Sequence, residues 1–387
     1  MSKLYGYYIV FLLGGFPLLS FLPLPSITIA YRGMTVILGV AVLFLMILQR
    51  GLYLNKWCMC VILFLSLYFS KLILDFIYMD FDYGRDKVEL SLLIVSSIVF
   101  PLLVLLFSKP EFLNVPDVTF KLFFILFVVC LLSVASGIIF GFKYRLSGNS
   151  ILNPISLGHH ALTCLILGSF ILLNYNISGG KKLLLKIALP ISVICLILVA
   201  SRGPLVAMFT LLAIYLLINK SGIMKNVLIL FLSIGFLLLA LAISESFFDA
   251  MLNRMTVNLD EQDGEARVFL WRLAIDEFIQ SPIIGSHTTT EIGYVHNMFL
   301  EILMSTGLVG FLWFLFICLS SWKRLYSYIK ENDERLIFGL IAIQYLIASF
   351  FSGTVYSNDL VWIYLSIFLL ISNGRVAILP ENKSREK

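Results

Sequence analysis

Charged side chains are scarce in this sequence. Asp, Glu, Lys and Arg together make up 13% of the 387 residues, apolar types reach 60%, and mean hydropathy is +0.98. Soluble domains carry about a quarter charged residues, so a water-soluble enzyme or a nucleic-acid-binding protein is excluded and a polytopic membrane protein is implied. The net charge of +5 then matters through where the cations fall, not as a sign of an acidic partner. Also lacking is a small-x-small cleavage site after "MSKLYGYYIVFLLGGFPLLSFLPLPS", so this stretch is expected to stay as the first helix. Cysteine is limited to Cys58, Cys60, Cys130, Cys164, Cys195 and Cys318, all inside apolar stretches where thiols behave as small hydrophobes. That pattern offers neither a disulfide framework nor a zinc site. Cys58 and Cys60 stand roughly 200° apart around a helix and diverge.

What is there is a series of apolar runs long enough to cross about 30 Å of hydrocarbon. They lie near 5–22, 33–49, 57–78, 88–107, 120–140, 157–174, 183–199, 205–218, 226–244, 297–319, 336–352 and 360–373. With the N-terminus inside, most of the 28 Lys and Arg residues fall in cytoplasmic segments, among them Arg50, Lys56, Lys109, Lys181, Lys220, Lys323 and Arg324. This is the distribution that the positive-inside rule requires, and acids show the opposite bias. The expected fold is all-α, a single integral membrane domain over 1–387 with about twelve transmembrane helices and both termini cytoplasmic. One larger outer loop is expected over 245–295.

Within that loop, "DGEARVFLWRLAIDEFIQSP" has a capping Asp263 and stops at a proline, so it reads as an amphipathic helix near 265–280 lying at the membrane interface. At 100° per residue Val268, Trp271, Ala274, Ile275 and Phe278 share a face, opposite Arg272, Asp276 and Gln280. Arg272 is expected to pair with Asp276 at i,i+4. Arg267 falls on the apolar face one turn before Trp271, where a cation either snorkels from the helix end or meets an anion.

Other polar groups interrupt the apolar pattern. Arg202 in "LILVASRGPLVAMF" is followed by a helix-breaking Gly203 and Pro204 on the outer side, where the insertion rule gives arginine no reason to be. Lys143, Arg145, Asn153, His159 and His160 crowd the outer segment 140–162, and adjacent histidines cannot share a helix face, which argues against a metal held by both. Interfacial hydrogen bonding is expected for at least one of them. Lys71 and Asp75, at i,i+4 in the third span, are expected to neutralise each other. Asp80 and Asp82 form an Asp-x-Asp string best explained as an acidic loop.

His296, with Tyr294 before it and Asn297 after it, opens the span that carries Glu301. It stands on the same face as Arg145, Arg202 and Arg267, and cations suited to a diphosphate plus an imidazole suit group transfer from a phosphate-linked lipid. Alternatively this is a capping histidine, with Asn297 as the start of the helix. Glu301 lies about 140° around the helix from His296, a position for holding a neighbouring helix's polar group or orienting an arginine.

Three stretches in this order, "SRGP" at 201–204, "GEARVFLWRLAIDEFIQSPIIG" at 264–285 and "HNMFLEILMSTGLVG" at 296–310, carry a resemblance. The chain resembles the O-antigen ligase and polymerase superfamily of bacterial surface-polysaccharide assembly over nearly its whole length. The resemblance implies an inverting glycosyltransferase of the bacterial inner membrane that needs neither metal nor cofactor and works on the periplasmic side. Donor and acceptor would be undecaprenyl diphosphate-linked glycans in contact with membrane lipids, and a chain-length regulator and a flippase are implied as further partners. Carried over by position, Arg202 and Arg267 bind the donor diphosphate and stabilise the leaving group, and His296 is the general base. Arg145, Tyr294, Asn297 and Glu301 are placed with the substrate-binding residues.

The wording around His296 and the Gly-Pro after Arg202 look more like a Wzy-type repeat-unit polymerase than an O-antigen ligase, which moves finished polymer to the lipid A core. A transporter is the reading from another class. Against it, no matching pair of broken segments recurs in two halves, and the polar candidates cluster on one face instead of at the midplane.

Overall fold

The computed structural model describes the chain except residues 23, 25, 50, 80, 82, 84, 85, 141–145, 147, 148, 150, 219–260 and 373–387, and the side chains of 261–266. Among the described residues it is helical, with α1 Ser2–Leu19, α2 Ile27–Leu48, α3 Lys56–Tyr78, α4 Lys87–Leu106, α5 Val115–Phe140, α6 Pro154–Asn174, α7 Gly179–Leu198 and α8 Arg202–Ile218. After the undescribed segment come α9 Glu261–Gln280, α10 Met298–Glu331, α11 Leu336–Ala348 and α12 Asp359–Ile371. Seven of these, α1 to α6 and α10, are long and apolar enough to cross a membrane. Every expected apolar run coincides with a helix except 226–244, which lies outside the described residues together with Arg145, Lys143, Asp80, Asp82 and the basic tail.

Local chemistry sets the helix boundaries. Asn55, Asp86, Asn153 and Asn297 each cap a helix, with a side-chain oxygen accepting from backbone N–H groups two or three residues on. Within α4 the residues Val95–Val99 form a π-turn just before Pro101. A proline ring clashes with the carbonyl four residues earlier, and a wider turn relieves that clash.

The helices pack around α12. Every residue from Val361 to Ile371 is buried, the pattern of a helix that is apolar all round and surrounded on all sides. It touches α3, α4, α10 and α11, while α5, α6 and α7 pack together with α1 on one flank. At about 1.5 Å per residue, the thirteen residues of α12 reach roughly 20 Å, short of the hydrocarbon thickness. The loop 349–358 leads into α12, with Thr354, Val355 and Tyr356 buried against the bundle. The buried backbone of this loop is satisfied: Met298 N–H donates to Ser349 O (3.0 Å), and Trp362 Nε1–H donates to Val355 O (2.8 Å).

A second irregular stretch of backbone explains "STGLVG". α10 is broken at Gly307, whose φ of 60° and ψ of −162° are open to glycine alone. The groups freed by the break pair with the segment after α9: Ser286 N–H donates to Met304 O (2.8 Å), Leu308 N–H to Pro282 O (2.8 Å) and Val309 N–H to Ile283 O (3.1 Å). The two backbones cross at van der Waals limit. A Cβ on Gly307 would sit 2.5 Å from Ile283 C and O, and one on Gly285 (φ 71°) would sit 2.3 Å from Ser305 C.

Three sequence expectations are corrected here. The amphipathic helix begins at Glu261, not near 265, and its packed face is Leu270, Trp271 and Ala274, while Val268 (46% exposed) and Ile275 (43%) point outward. An apolar side chain at a membrane surface finds a favourable environment in lipid as well as in protein, so hydrophobicity alone does not mark the packed side. Arg272 and Asp276 are both exposed and make no ion pair with each other among the described residues, as a solvated pair at i,i+4 is stabilised by only a few tenths of a kcal/mol. Lys71 and Asp75 do not pair either; each is taken by a tertiary partner described below.

Replacing Gly307 by Ala is expected to destabilise the protein by about 3 kcal/mol or more, read as a lowered thermal-unfolding midpoint in nanodiscs. Gly33→Ala, on an open helical position where an added Cβ meets nothing within 4 Å, is the matched control and should leave the midpoint unchanged or slightly raised. Equal midpoints for both variants would show that the crossing at Gly307 is not tight.

Candidate functional site

One face of α3 organises the site. Tyr68, Lys71 and Asp75 follow at spacings of three and four and so share a side of the helix. Asp75, 4% exposed, accepts from Thr288 N–H (2.6 Å) and Thr288 Oγ1 (2.7 Å) and pairs with His287 Nδ1 (2.9 Å). Lys71 Nζ donates to Gly285 O (3.2 Å). Tyr68 donates its hydroxyl hydrogen bond to Glu301. Between them, three side chains of α3 hold the segment 285–288 and the first turn of α10, the two anchors between which His296 is suspended.

Glu301 is wholly buried, and both its oxygens also lie 3.2 Å from Val355 N–H. A buried carboxylate needs such donors, and here they join α3, α10 and the loop 349–358. Its contacts are therefore with protein groups. Asn297, 8% exposed, is engaged as the cap of α10, accepting from Phe299 N–H (3.0 Å) and Leu300 N–H (3.2 Å).

His296 is half-buried and adopts φ of 58°, a left-handed conformation uncommon outside glycine. The capped helix fixes the backbone after it. Before it, Trp271 Nε1–H donates to Val295 O (3.1 Å) and ties the preceding residue to α9. The Tyr294 ring lies against the imidazole, centroids 4.0 Å apart. Arg267, one turn before Trp271 on the packed face of α9, extends an exposed guanidinium whose Nη1 donates to Phe351 O (3.4 Å). Burial, and then the charge of Arg267, hold the His296 imidazole below its ordinary proton affinity. The structure thus brings Arg267, Tyr294 and His296 together.

Arg202 is the exposed first residue of α8, after a turn in which Ala200 takes φ of 48°. The following Gly203 and Pro204 pack on α6, at His159 and Gly158 respectively. Arg202 stands at the same end of the bundle, and among the described residues no hydrogen bond joins it to His296 or Arg267. His159 and His160 are each 5% exposed, so they sit in the bundle wall and not in an interfacial loop. His159 Nδ1 has no hydrogen-bond partner among the described residues.

A cavity of about 1620 Å³ opens at this end, bounded by α1, α2, α4, α6 and residues 352–361. Tyr294 lines it, so it leads to His296. Arg32, Asp86, Glu89 and Asp359 contribute its charged groups. Sequence reasoning passed over Arg32, Asp359, Tyr356 and the Asp75 partner His287. Arg32 alone left a trace, as a cation just before an apolar run.

Residues 187–315 match the family model described as O-antigen ligase, which supports the O-antigen ligase/polymerase superfamily for this chain. The match runs from α7 to the broken part of α10 and contains Arg202, Arg267, His296 and Glu301. No curated protein matches the chain.

Asp75→Ala leaves Thr288 N–H without its acceptor in a buried position and is expected to destabilise by about 2–4 kcal/mol. Amide exchange is expected to rise over 285–297 more than elsewhere in the bundle. Unchanged exchange in that segment would mean that α3 does not hold it.

Proposed function

We propose that this protein is a membrane glycosyltransferase that extends a lipid-linked glycan, working as a repeat-unit polymerase on the periplasmic side of the bacterial inner membrane. The observation that carries the proposal is a half-buried His296 within the electrostatic reach of Arg267, held by the Trp271 to Val295 hydrogen bond and lying against Tyr294, which lines a large cavity. The match to the O-antigen ligase family supports it. The donor is a glycan on undecaprenyl diphosphate, and the acceptor is the next lipid-linked repeat unit.

In the proposed step an acceptor hydroxyl oxygen attacks the anomeric carbon of the donor sugar and gives its proton to His296. The bond between that carbon and the diphosphate oxygen breaks, its electron pair leaves with the diphosphate, and configuration inverts. Arg267 and Arg202 balance the charge that develops on the leaving group, for which preorganised cations serve better than a proton donor. Tyr294 and Asn297 shape the surroundings of the imidazole. Arg145 is assigned to the donor diphosphate from the resemblance alone. Glu301, enclosed by Tyr68 and Val355, acts by fixing the first turn of α10.

The ligase alternative is favoured by the matching family, which is described as O-antigen ligase. Donor chemistry is the same in both; the acceptor differs. Purified protein given lipid-linked repeat units is expected to make a ladder of longer lipid-linked glycans. Transfer to lipid A core without a ladder would establish the ligase, and substrate crossing the bilayer with neither product would end the transferase reading.

His296→Ala and Arg267→Ala are each expected to abolish transfer with the protein still expressed, whereas exposed Arg272→Ala lowers it less than about threefold, as for a solvated surface position. Equal loss in all three would undo the distinction between the two arginines.

The base must be neutral to accept a proton, so activity is present above its pKa and lost as pH falls through it. In the free enzyme that pKa is depressed below the ordinary 6.5. Bound diphosphate offsets the charge of Arg267, so the acid limb of kcat is expected at higher pH than that of kcat/KM. Coincident limbs would separate His296 from the donor site.

A further inference from the structure

We infer that the cavity between α1, α2, α4 and residues 352–361 is the acceptor's own site, taking a second lipid-linked glycan that enters sideways between α2 and α4. This rests on the glycosyltransferase reading above and names the substrate class of the cavity beside His296.

The shape comes from the contact of α2 with α4. The helices touch at Gly39, where an added Cβ would lie 2.5 Å from Phe100 Cε1 and 3.2 Å from Val104 Cγ2. Nearer the cavity end of both helices, Ile29 and Ile37 of α2 and Val88 and Leu92 of α4 line the cavity while staying 71%, 68%, 67% and 63% exposed. Side chains that are at once cavity wall and outer surface mark an opening in the flank of the bundle, where a spanning protein meets lipid tails. The π-turn in α4 adds Ser96 and Ser97 to the wall, and such turns recur at functional sites.

Deeper in, the lining becomes polar. Asn358, Tyr356 and His159 face the cavity, and His159, 5% exposed, keeps Nδ1 without a partner among the described residues. Apolar flank and polar interior together fit an amphiphile: a hydrocarbon chain between α2 and α4 and a hydroxyl-rich head inside. Among the described residues the cavity carries three carboxyl groups, Asp86, Glu89 and Asp359, and one guanidinium, Arg32, and carboxylates are acceptors for sugar hydroxyls. Tyr294 lines the cavity and its ring centroid is 4.0 Å from that of His296, so a glycan reaching Tyr294 comes beside the base. Its volume of about 1620 Å³ exceeds the roughly 300–1,000 Å³ of drug-sized ligand sites and accommodates several sugars.

Gly33 supplies the test. It lines the cavity, and a Cβ added there meets nothing within 4 Å, so the backbone accepts a side chain and Gly33→Trp is expected to occupy the opening. Full-length protein in nanodiscs is incubated with lipid-linked glycans extracted from membranes of the cells that make it, and bound copies are counted by native mass spectrometry. Two copies are expected on the wild type and one each on Gly33→Trp and Arg267→Ala. In turnover, Gly33→Trp is expected to raise the acceptor KM at least tenfold with donor KM unchanged. Leu92→Trp narrows the opening from the facing wall and replaces Gly33→Trp if that variant is unstable. A wild type that binds one copy, or a filled variant that still binds two, overturns the inference. If the counts are as expected but the wild type forms no longer glycan, the acceptor site stands as a lipid-glycan site and the transferase reading falls.

Discussion

The site depends on three polar side chains on one face of a helix buried in an apolar bundle. Tyr68, Lys71 and Asp75 of α3 reach respectively the first turn of α10, the carbonyl of Gly285, and Thr288 with His287. A polar group inside a bundle is costly unless it has a partner, and that cost gives these contacts their specificity. Any other placement of 285–301 would strand Glu301, Asp75 and Lys71 together. The apolar surfaces around them are interchangeable by comparison, since one lipid-facing Leu packs much like another.

The same contacts hold two stretches of non-helical backbone against the bundle. Segment 282–286 pairs with the broken turn of α10, and the loop 349–358 pairs with Glu301 and Trp362. The break at Gly307 is thus half of a joint whose other half is Gly285, because only two residues without Cβ atoms let the backbones cross so closely. The shortness of α11 and α12 belongs to the same design: helices that stop early leave room for a cavity above them.

Apolar run length located nearly every helix, because burial in lipid imposes a simple requirement on composition. Arg267 and His296 were legible as polar interruptions, and the structure brings them together. Partner choice was not legible. Lys71 and Asp75 have ideal spacing for each other, yet Asp75 finds three donors on the segment 287–288, and a tertiary cluster outweighs one i,i+4 pair. The packed face of α9 was misjudged at Val268 and Ile275 because an apolar moment sums lipid contact and protein contact without distinguishing them. The role of Gly307 was hidden since glycine in an apolar run reads equally as close helix packing.

Chemistry and scaffold occupy different parts of the chain. Arg202, Arg267 and His296 all lie within the residues that match the family, about a third of the sequence, whereas Tyr68, Asp75 and the loop carrying Val355 lie outside it. A guanidinium and an imidazole act together only at a fixed separation, and one hydrogen bond from Trp271 of α9 ties down Val295, the residue before His296. The remaining positional information comes through α3 and the loop before α12. On the proposed reading, the groups that act on the leaving group and the wall of the cavity, built from α1, α2, α4 and residues 352–361, are separate sets of residues that meet at Tyr294.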